Sequence, residues 1–317
     1  MFSALDIIRL ANGISSCVTG FTFNLWILLV NFQDWRKGYR LSSCDHILCL
    51  LGLTNILMQH LLNINVLYNN FLYQILNVGM LQAILTDILI FLLSLNNWFM
   101  TCLCVYYTLS IVNFTSGVLF LLKIRISQLL PKCLCLSVVL SIGITVPSIW
   151  YVNHITDRNV IGNFTANVTE HRDKVVVRFP YALAIIIECV LGLFLTVVPI
   201  SQTVRSLWGH TRRMKKNASN YSVPRLQAHV TAVRTMLCLA TLCIMLYCSL
   251  IVMWVNLLQI DGIFLNLCWY FVAAYPTLQA ITLIMGNSKL RKSFKQIKNC
   301  LCKSKSSNVM INTDLLV

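Results

Sequence analysis

Charged side chains occur at wide intervals along this chain, and the stretches between them are almost wholly apolar. Asp, Glu, Lys and Arg are absent from 10–33, 46–86, 88–122, 133–156, 189–204, 235–260 and 262–288. About 20 apolar residues carry an α-helix across a bilayer. Six of the gaps hold one crossing each, the second of them with a polar turn, "YNNFLY", after its helix. The fifth gap is short and reaches back through Glu188 to about Phe179. The pattern therefore predicts an all-α membrane protein with a seven-helix bundle.

Composition agrees. With 57% hydrophobic and 11% charged residues among 317, the chain is too apolar to hide its side chains in one soluble core. Lys and Arg are retained in the cytoplasm during insertion, so their distribution predicts which ends face inward. With an extracellular N-terminus, 20 of the 25 Lys and Arg fall inside, and only Arg9, Arg158, Arg172, Lys174 and Arg178 fall outside. The net charge of +15 then marks one membrane face, shared with anionic lipids and cytosolic partners, and nucleic acid is not needed to explain it. Two loops of size are expected, an outer one over about 153–178 and an inner basic one beginning "SLWGHTRRMKKNASNYSVPR". Pro224 and the Asn and Ser before it are expected to leave the centre of that inner loop irregular.

The first apolar run is long, lacks a basic leading end and has no small-residue cleavage site, so helix one is expected to act as its own insertion signal. Of five Asn-x-Ser/Thr sequons, the topology exposes Asn163 and Asn167 to the lumenal glycosylation machinery and leaves Asn113, Asn217 and Asn220 bare. None of the 14 cysteines lies in the outer loop, which argues against a disulfide scaffold there.

Seven helices suit a receptor, a transporter or channel, or an intramembrane enzyme. Pumps and intramembrane enzymes need charged groups deep in the bilayer. Only Asp87 and Glu188 lie within helices, both in the outer part, and no His, Asp or Glu cluster has metal-ligand spacing. Helix seven has no Lys for a Schiff base, and seven crossings do not divide into inverted halves. No cofactor is expected, and the receptor class is favoured.

Several helix ends then carry specific motifs. They are "VNFQDWRKGYRLSSCDHIL" after helix one, "WFMTCLCVYYTLSIVNFT" and "FLLKIRI" after helix three, "SLWGHTRRM" and "AHVTAVRT" at the inner ends of helices five and six, and "YPTLQAITLIMGNSKLRKS" in helix seven. In this order the chain resembles the type 2 taste receptors, the bitter-taste family of G-protein-coupled receptors, over nearly its whole length. The resemblance implies small, mostly apolar bitter ligands, a heterotrimeric G protein of the gustducin-like or another inhibitory class, and residence in the plasma membrane. A vomeronasal type 1-like receptor is the nearer alternative, and a transporter the remoter one. Departures from the family pattern are Thr54 and Asn55 for Ser-Arg, Ser110 for Lys, Leu239 and Cys243 for Phe and Tyr, Gln279 and Ala280 for His-Ser, and Leu89 and Leu93 for a Trp and an Asn.

Candidate residues follow. Asp87, Phe91 and Ser94 recur at i, i+4 and i+7, so they share one face of helix three. Asp87 and Glu188 are each open to two readings, an attractor for cationic ligands or an interfacial carboxylate. Trp254, Trp269 and Tyr270 are ligand-binding candidates as well, with an aromatic membrane belt as the other reading. Arg125, His210, Arg212, Arg213, His229 and Arg234 are candidates for G-protein coupling. The sequence divides at 288/289 into a receptor domain over 1–288 and a cytoplasmic amphipathic eighth helix with its tail over 289–317. There Cys300 and Cys302 are either palmitoylated or free thiols.

Overall fold

The computed structural model describes residues 4–68, 79–112, 117–161, 169–216, 223–255, 262–296 and 299. Seven long helices follow in order: α1 (Ala4–Arg36), α2 (Ser43–Leu67), α3 (Gly79–Ile111), α4 (Val118–Ile161), α5 (Thr169–Lys216), α6 (Val223–Val255) and α7 (Gly262–Gly286). Each contains a stretch long and apolar enough to cross a membrane. A short α8 over 288–296 closes the described chain.

Local sequence sets the helix starts. Ser42 caps α2 through a capping box, its hydroxyl accepting from the Asp45 amide while the Asp45 carboxylate accepts from the Ser42 amide. Asn287 caps α8, its Oδ1 accepting from the amides of Lys289 and Leu290 at 2.9 and 3.2 Å. Phe294 lays α8 against α1, its ring centroid 6.1 Å from that of Phe23 and 6.3 Å from that of Trp26.

The loops are shorter than the sequence suggests. α4 continues to Ile161 and α5 begins at Thr169, so most of the expected outer loop is helical. The chain has no Gly or Pro from 148 to 161 or from 169 to 179, and Glu170 and Lys174 stand at the i, i+4 spacing that supports a helix. Likewise α5 runs to Lys216, and Pro224 is the second residue of α6 rather than part of an irregular loop. The first turn of a helix tolerates Pro because its amide would find no intrahelical acceptor there.

α3 occupies the centre. Its span is 72% buried, against 22% for that of α4. A hydrophobic core of Ile27, Ile47, Leu51, Met58, Leu103, Leu239 and Leu283 joins α1, α2, α3, α6 and α7. Phe194, Val190, Val139 and Leu121 remain exposed, as lipid-facing side chains require. With no water between lipid tails to drive helices together, polar contacts and close packing hold such a bundle. Its polar residues therefore mark where the helices are tied together.

Candidate functional site: a polar layer through the bundle

Three polar residues in the apolar centre of α3, Ser94, Asn96 and Asn97, reach both halves of the bundle. On one side is an all-neutral amide network. Asn96 and Gln279 of α7 form a reciprocal amide pair, Asn96 Nδ2 donating to Gln279 Oε1 at 3.2 Å and Gln279 Nε2 to Asn96 Oδ1 at 3.0 Å. Asn96 Nδ2 also lies 2.9 Å from Asn55 Oδ1 of α2 and 3.2 Å from Thr54 Oγ1. Asn55 Nδ2 in turn donates to Asn24 Oδ1 of α1 at 3.0 Å. The Tyr275 hydroxyl donates to Asn96 Oδ1 at 3.3 Å and accepts from Gln279 Nε2.

Side chains of α1 and α2 also reach the α7 backbone near Pro276. A proline within a helix removes one backbone donor and spreads the neighbouring carbonyls. Two carbonyls beside it accept side-chain donors: Pro276 O from Asn24 Nδ2 at 3.3 Å and Ala273 O from Gln59 Nε2 at 3.1 Å.

On the other side of α3 lies a carboxylate cradle. Glu188 of α5, only 3% exposed, accepts from the Ser94 hydroxyl, from Asn97 Nδ2 at 3.0 Å and from Trp98 Nε1 at 3.1 Å. Ser94 also lies 3.0 Å from Ser141 Oγ of α4, and the Cys243 thiol of α6 donates to Asn97 Oδ1 at 3.6 Å. Gly192, one turn beyond Glu188, permits the close approach, since a Cβ there would lie 2.1 Å from Asn97 Nδ2. Through these two clusters one polar layer joins all seven spanning helices.

At the basic end a third cluster fixes α8. Lys289 Nζ lies 3.0 Å from Asp34 Oδ2 and 3.0 Å from Asp45 Oδ1, and donates to Asn31 Oδ1 at 2.6 Å. Burial pulls the Lys289 ammonium down, but hydrogen bonds to the two carboxylates and their charge outweigh it and hold it above the ordinary lysine value. Nearby, Thr108 Oγ1 and Thr203 Oγ1 meet at 2.9 Å and tie α3 to α5.

The face of α3 carrying Asp87, Phe91 and Ser94 turns inward. Asp87 is 8% and Ser94 1% exposed, and Phe91 packs partly buried on the core. Leu89 and Leu93 are buried beside them. Trp269 packs half-buried on the core and Tyr270 is half-buried, while Arg125 and Arg234 are exposed. Only the helical backbone is described at Trp254, His210, Arg212, Arg213 and His229, and Asn163, Asn167, Cys300 and Cys302 lie outside the described residues.

The taste receptor protein (TAS2R) family matches this chain over residues 1–303. It belongs to that family. Among similar proteins, taste receptor type 2 member 4 of Homo sapiens is 29% identical over 291 residues, covering 88% of this chain and 92% of its own length. Its counterpart from Papio hamadryas is 30% identical over 290 residues with the same coverage. Taste receptor type 2 member 40 of Gallus gallus is 27% identical over 303 residues, 94% of this chain and 96% of the relative. Membership makes the chain a multi-pass membrane receptor of the bitter-taste, G-protein-coupled kind rather than an enzyme.

Asn55 and Gln279, read from the sequence as departures from the family pattern, both meet Asn96, as do Thr54 and Tyr275. On this side of α3 the layer is closed by neutral groups, while the Glu188 carboxylate lies on the other. Sequence reading singled out Thr54, Asn55 and Gln279 only as departures, and it missed Asn24, Asn96, Asn97 and the Lys289 cluster. The available signal was "SLNNW", adjacent polar residues facing opposite sides of a central helix.

Proposed function

We propose that this taste receptor binds small, mostly apolar molecules between the halves of its helices remote from the basic end, and responds by activating a heterotrimeric G protein of the inhibitory, gustducin-like class at the plasma membrane. The family match over 1–303 carries the reading. A ligand shifts the receptor only through a difference in its affinity for the two arrangements, and one polar layer shared by all seven helices supports the transmission of that difference. Leu89, Leu93 and Phe91 favour apolar ligands, and Asp87 and Glu188 add a preference for cationic or neutral amphiphiles over anions. Trp254, Trp269 and Tyr270 supply aromatic surface.

The basic residues Arg125, His210, Arg212, Arg213, His229 and Arg234 form the coupling surface, where cationic side chains steer the G protein. Arg234 is exposed in the first half of α6. The test is a screen of bitter compounds on cells expressing the chain with an inhibitory-class G protein, repeated with Arg234→Ala at matched surface levels. Ligand-evoked activation that falls in the variant without a change in ligand affinity supports the reading. Equal signalling from both proteins removes Arg234 from the coupling surface, and a substrate-dependent current or flux without G-protein activation would make the chain a transporter.

A further inference from the structure

The exposed stripe of α1 changes in kind toward the basic end. Val18 and Leu29 are followed by Phe32 and Trp35, whose ring centroids lie 5.7 Å apart, and then by Arg36. Aliphatic, aromatic and cationic side chains in that order match the acyl, interfacial and phosphate levels of one leaflet, so Arg36 stands at the lipid phosphates. The helix then closes in a turn fixed by local sequence. Gly38 takes the left-handed conformation at a φ of 82°, its amide donating to Trp35 O at 3.0 Å and the Tyr39 amide to Asp34 O at 3.1 Å. Lys37, Tyr39 and Arg40 on this turn are all exposed.

α8 starts beside the turn, because Lys289 lies 3.0 Å from Asp34 of α1 and 3.0 Å from Asp45 of α2. Those are the only acidic residues from 7 to 86, and there is none from 262 to 313. With both acids held on Lys289, exposed Arg36, Lys37 and Arg40 on the turn and exposed Lys292 and Lys295 on α8 present a field of one sign. Lys292 and Lys295 stand at i, i+3 on α8, while Phe294 packs on α1. A cluster of cations beside a spanning helix draws anionic lipid, at about fivefold in affinity per cation. One side chain meets a headgroup of single charge, whereas two banks of cations suit several phosphates on one ring.

We infer that the α1–α2 turn and α8 together form a binding site for a polyphosphorylated inositol lipid of the inner leaflet. The inference rests on the basic end facing the cytoplasm and is independent of the ligand and the G protein proposed above.

In the test, purified full-length receptor in phosphatidylcholine nanodiscs is titrated with dioctanoyl phosphatidylinositol bisphosphate, and affinity is taken from the midpoint of the melting shift, so that a variant with a lower starting melting point is still measured. Parallel discs carry phosphatidylserine at equal total charge. The inositol lipid is expected to raise the melting temperature saturably, and phosphatidylserine to raise it less. Lys37→Gln with Arg40→Gln, and separately Lys292→Gln with Lys295→Gln, should each weaken binding about 25-fold, at about fivefold per cation. Arg205→Gln, which removes an exposed cation from α5, should leave it unchanged.

An equal shift from phosphatidylserine, or a loss in Arg205→Gln as large per charge as in the two pairs, would reduce the site to diffuse surface charge and overturn the inference. Full affinity in either double variant would overturn the two-bank site. Soluble inositol trisphosphate is expected to compete only weakly, because Phe32 and Trp35 mark a place for acyl chains beside the cations. Competition by it at the affinity of the lipid would make this a site for free phosphate and overturn the assignment to a lipid.

Discussion

Replacing Glu188 tests whether the carboxylate cradle holds the bundle together as its geometry requires. In Glu188→Gln, Oε1 keeps the Ser94 hydroxyl and the Trp98 indole, and the new amide nitrogen meets Asn97 Nδ2, donor against donor. Asn97 relieves this by turning its amide over, which gives up the Cys243 thiol bond at 3.6 Å and the long bond from Nδ2 to the Glu188 backbone carbonyl at 3.3 Å. The net loss is about 1 kcal/mol or less, because the weaker neutral bonds are offset by relief from burying a charge. Glu188→Ala is different. Ser94 turns its single hydrogen to Ser141 at 3.0 Å, and Asn97 retains the Glu188 backbone carbonyl at 3.3 Å. Trp98 Nε1, whose only hydrogen bond among the described residues goes to the lost carboxylate, is orphaned in a 9% exposed ring.

An orphaned buried donor costs about 1–3 kcal/mol and the lost methylene about 0.8 more, so the alanine variant is expected to be about 2–4 kcal/mol less stable. At about 2 °C per kcal/mol for a chain of this size, that is a fall of roughly 4–8 °C in Tm, against about 2 °C or less for the glutamine variant. The assay is thermal unfolding of purified receptor in lipid. Trp98→Phe supplies the internal control: it should destabilise wild type by about 1 kcal/mol and be neutral or stabilising in the Glu188→Ala background, where it removes the orphan. Alanine and glutamine variants that melt together, or a Trp98→Phe effect that is the same in both backgrounds, would refute the cradle as described.

Lys289→Met should lower stability by about 1–2 kcal/mol, an intermediate value because the ammonium is one-third exposed, and melting should show Asp34→Asn to be nearly silent once Lys289 is gone. Since the folded ammonium is held above the ordinary lysine value, its contribution is complete below about pH 10.4 and is lost only as pH rises beyond that. The melting difference between wild type and Lys289→Met should therefore be flat from about pH 6 to 9. Glycans are expected on Asn163, Asn167 or both, and a glycosidase-sensitive mass shift that survives replacement of both by Gln would contradict an extracellular N-terminus.

Helix number, helix type and the basic end were legible in the sequence because they depend on one-dimensional quantities: the length of uncharged runs, the bilayer thickness they must match, and the uneven spread of Lys and Arg. That Asp87, Phe91 and Ser94 share one face of α3 was legible for a related reason, helical periodicity, whereas the inward turn of that face was not. Which polar residues meet was decided only by the tertiary structure. Asn96 and Gln279 are 183 residues apart, Ser94 and Glu188 94 apart, and Lys289 and Asn31 258 apart. Nothing in the period of a helix fixes its rotation or depth against a distant neighbour. The residues named from the sequence were those whose chemistry stands out singly, a carboxylate in an apolar helix or a cluster of cations. Asn and Gln draw little notice one at a time, because an amide's worth in a membrane bundle comes from the partner that packing brings to it.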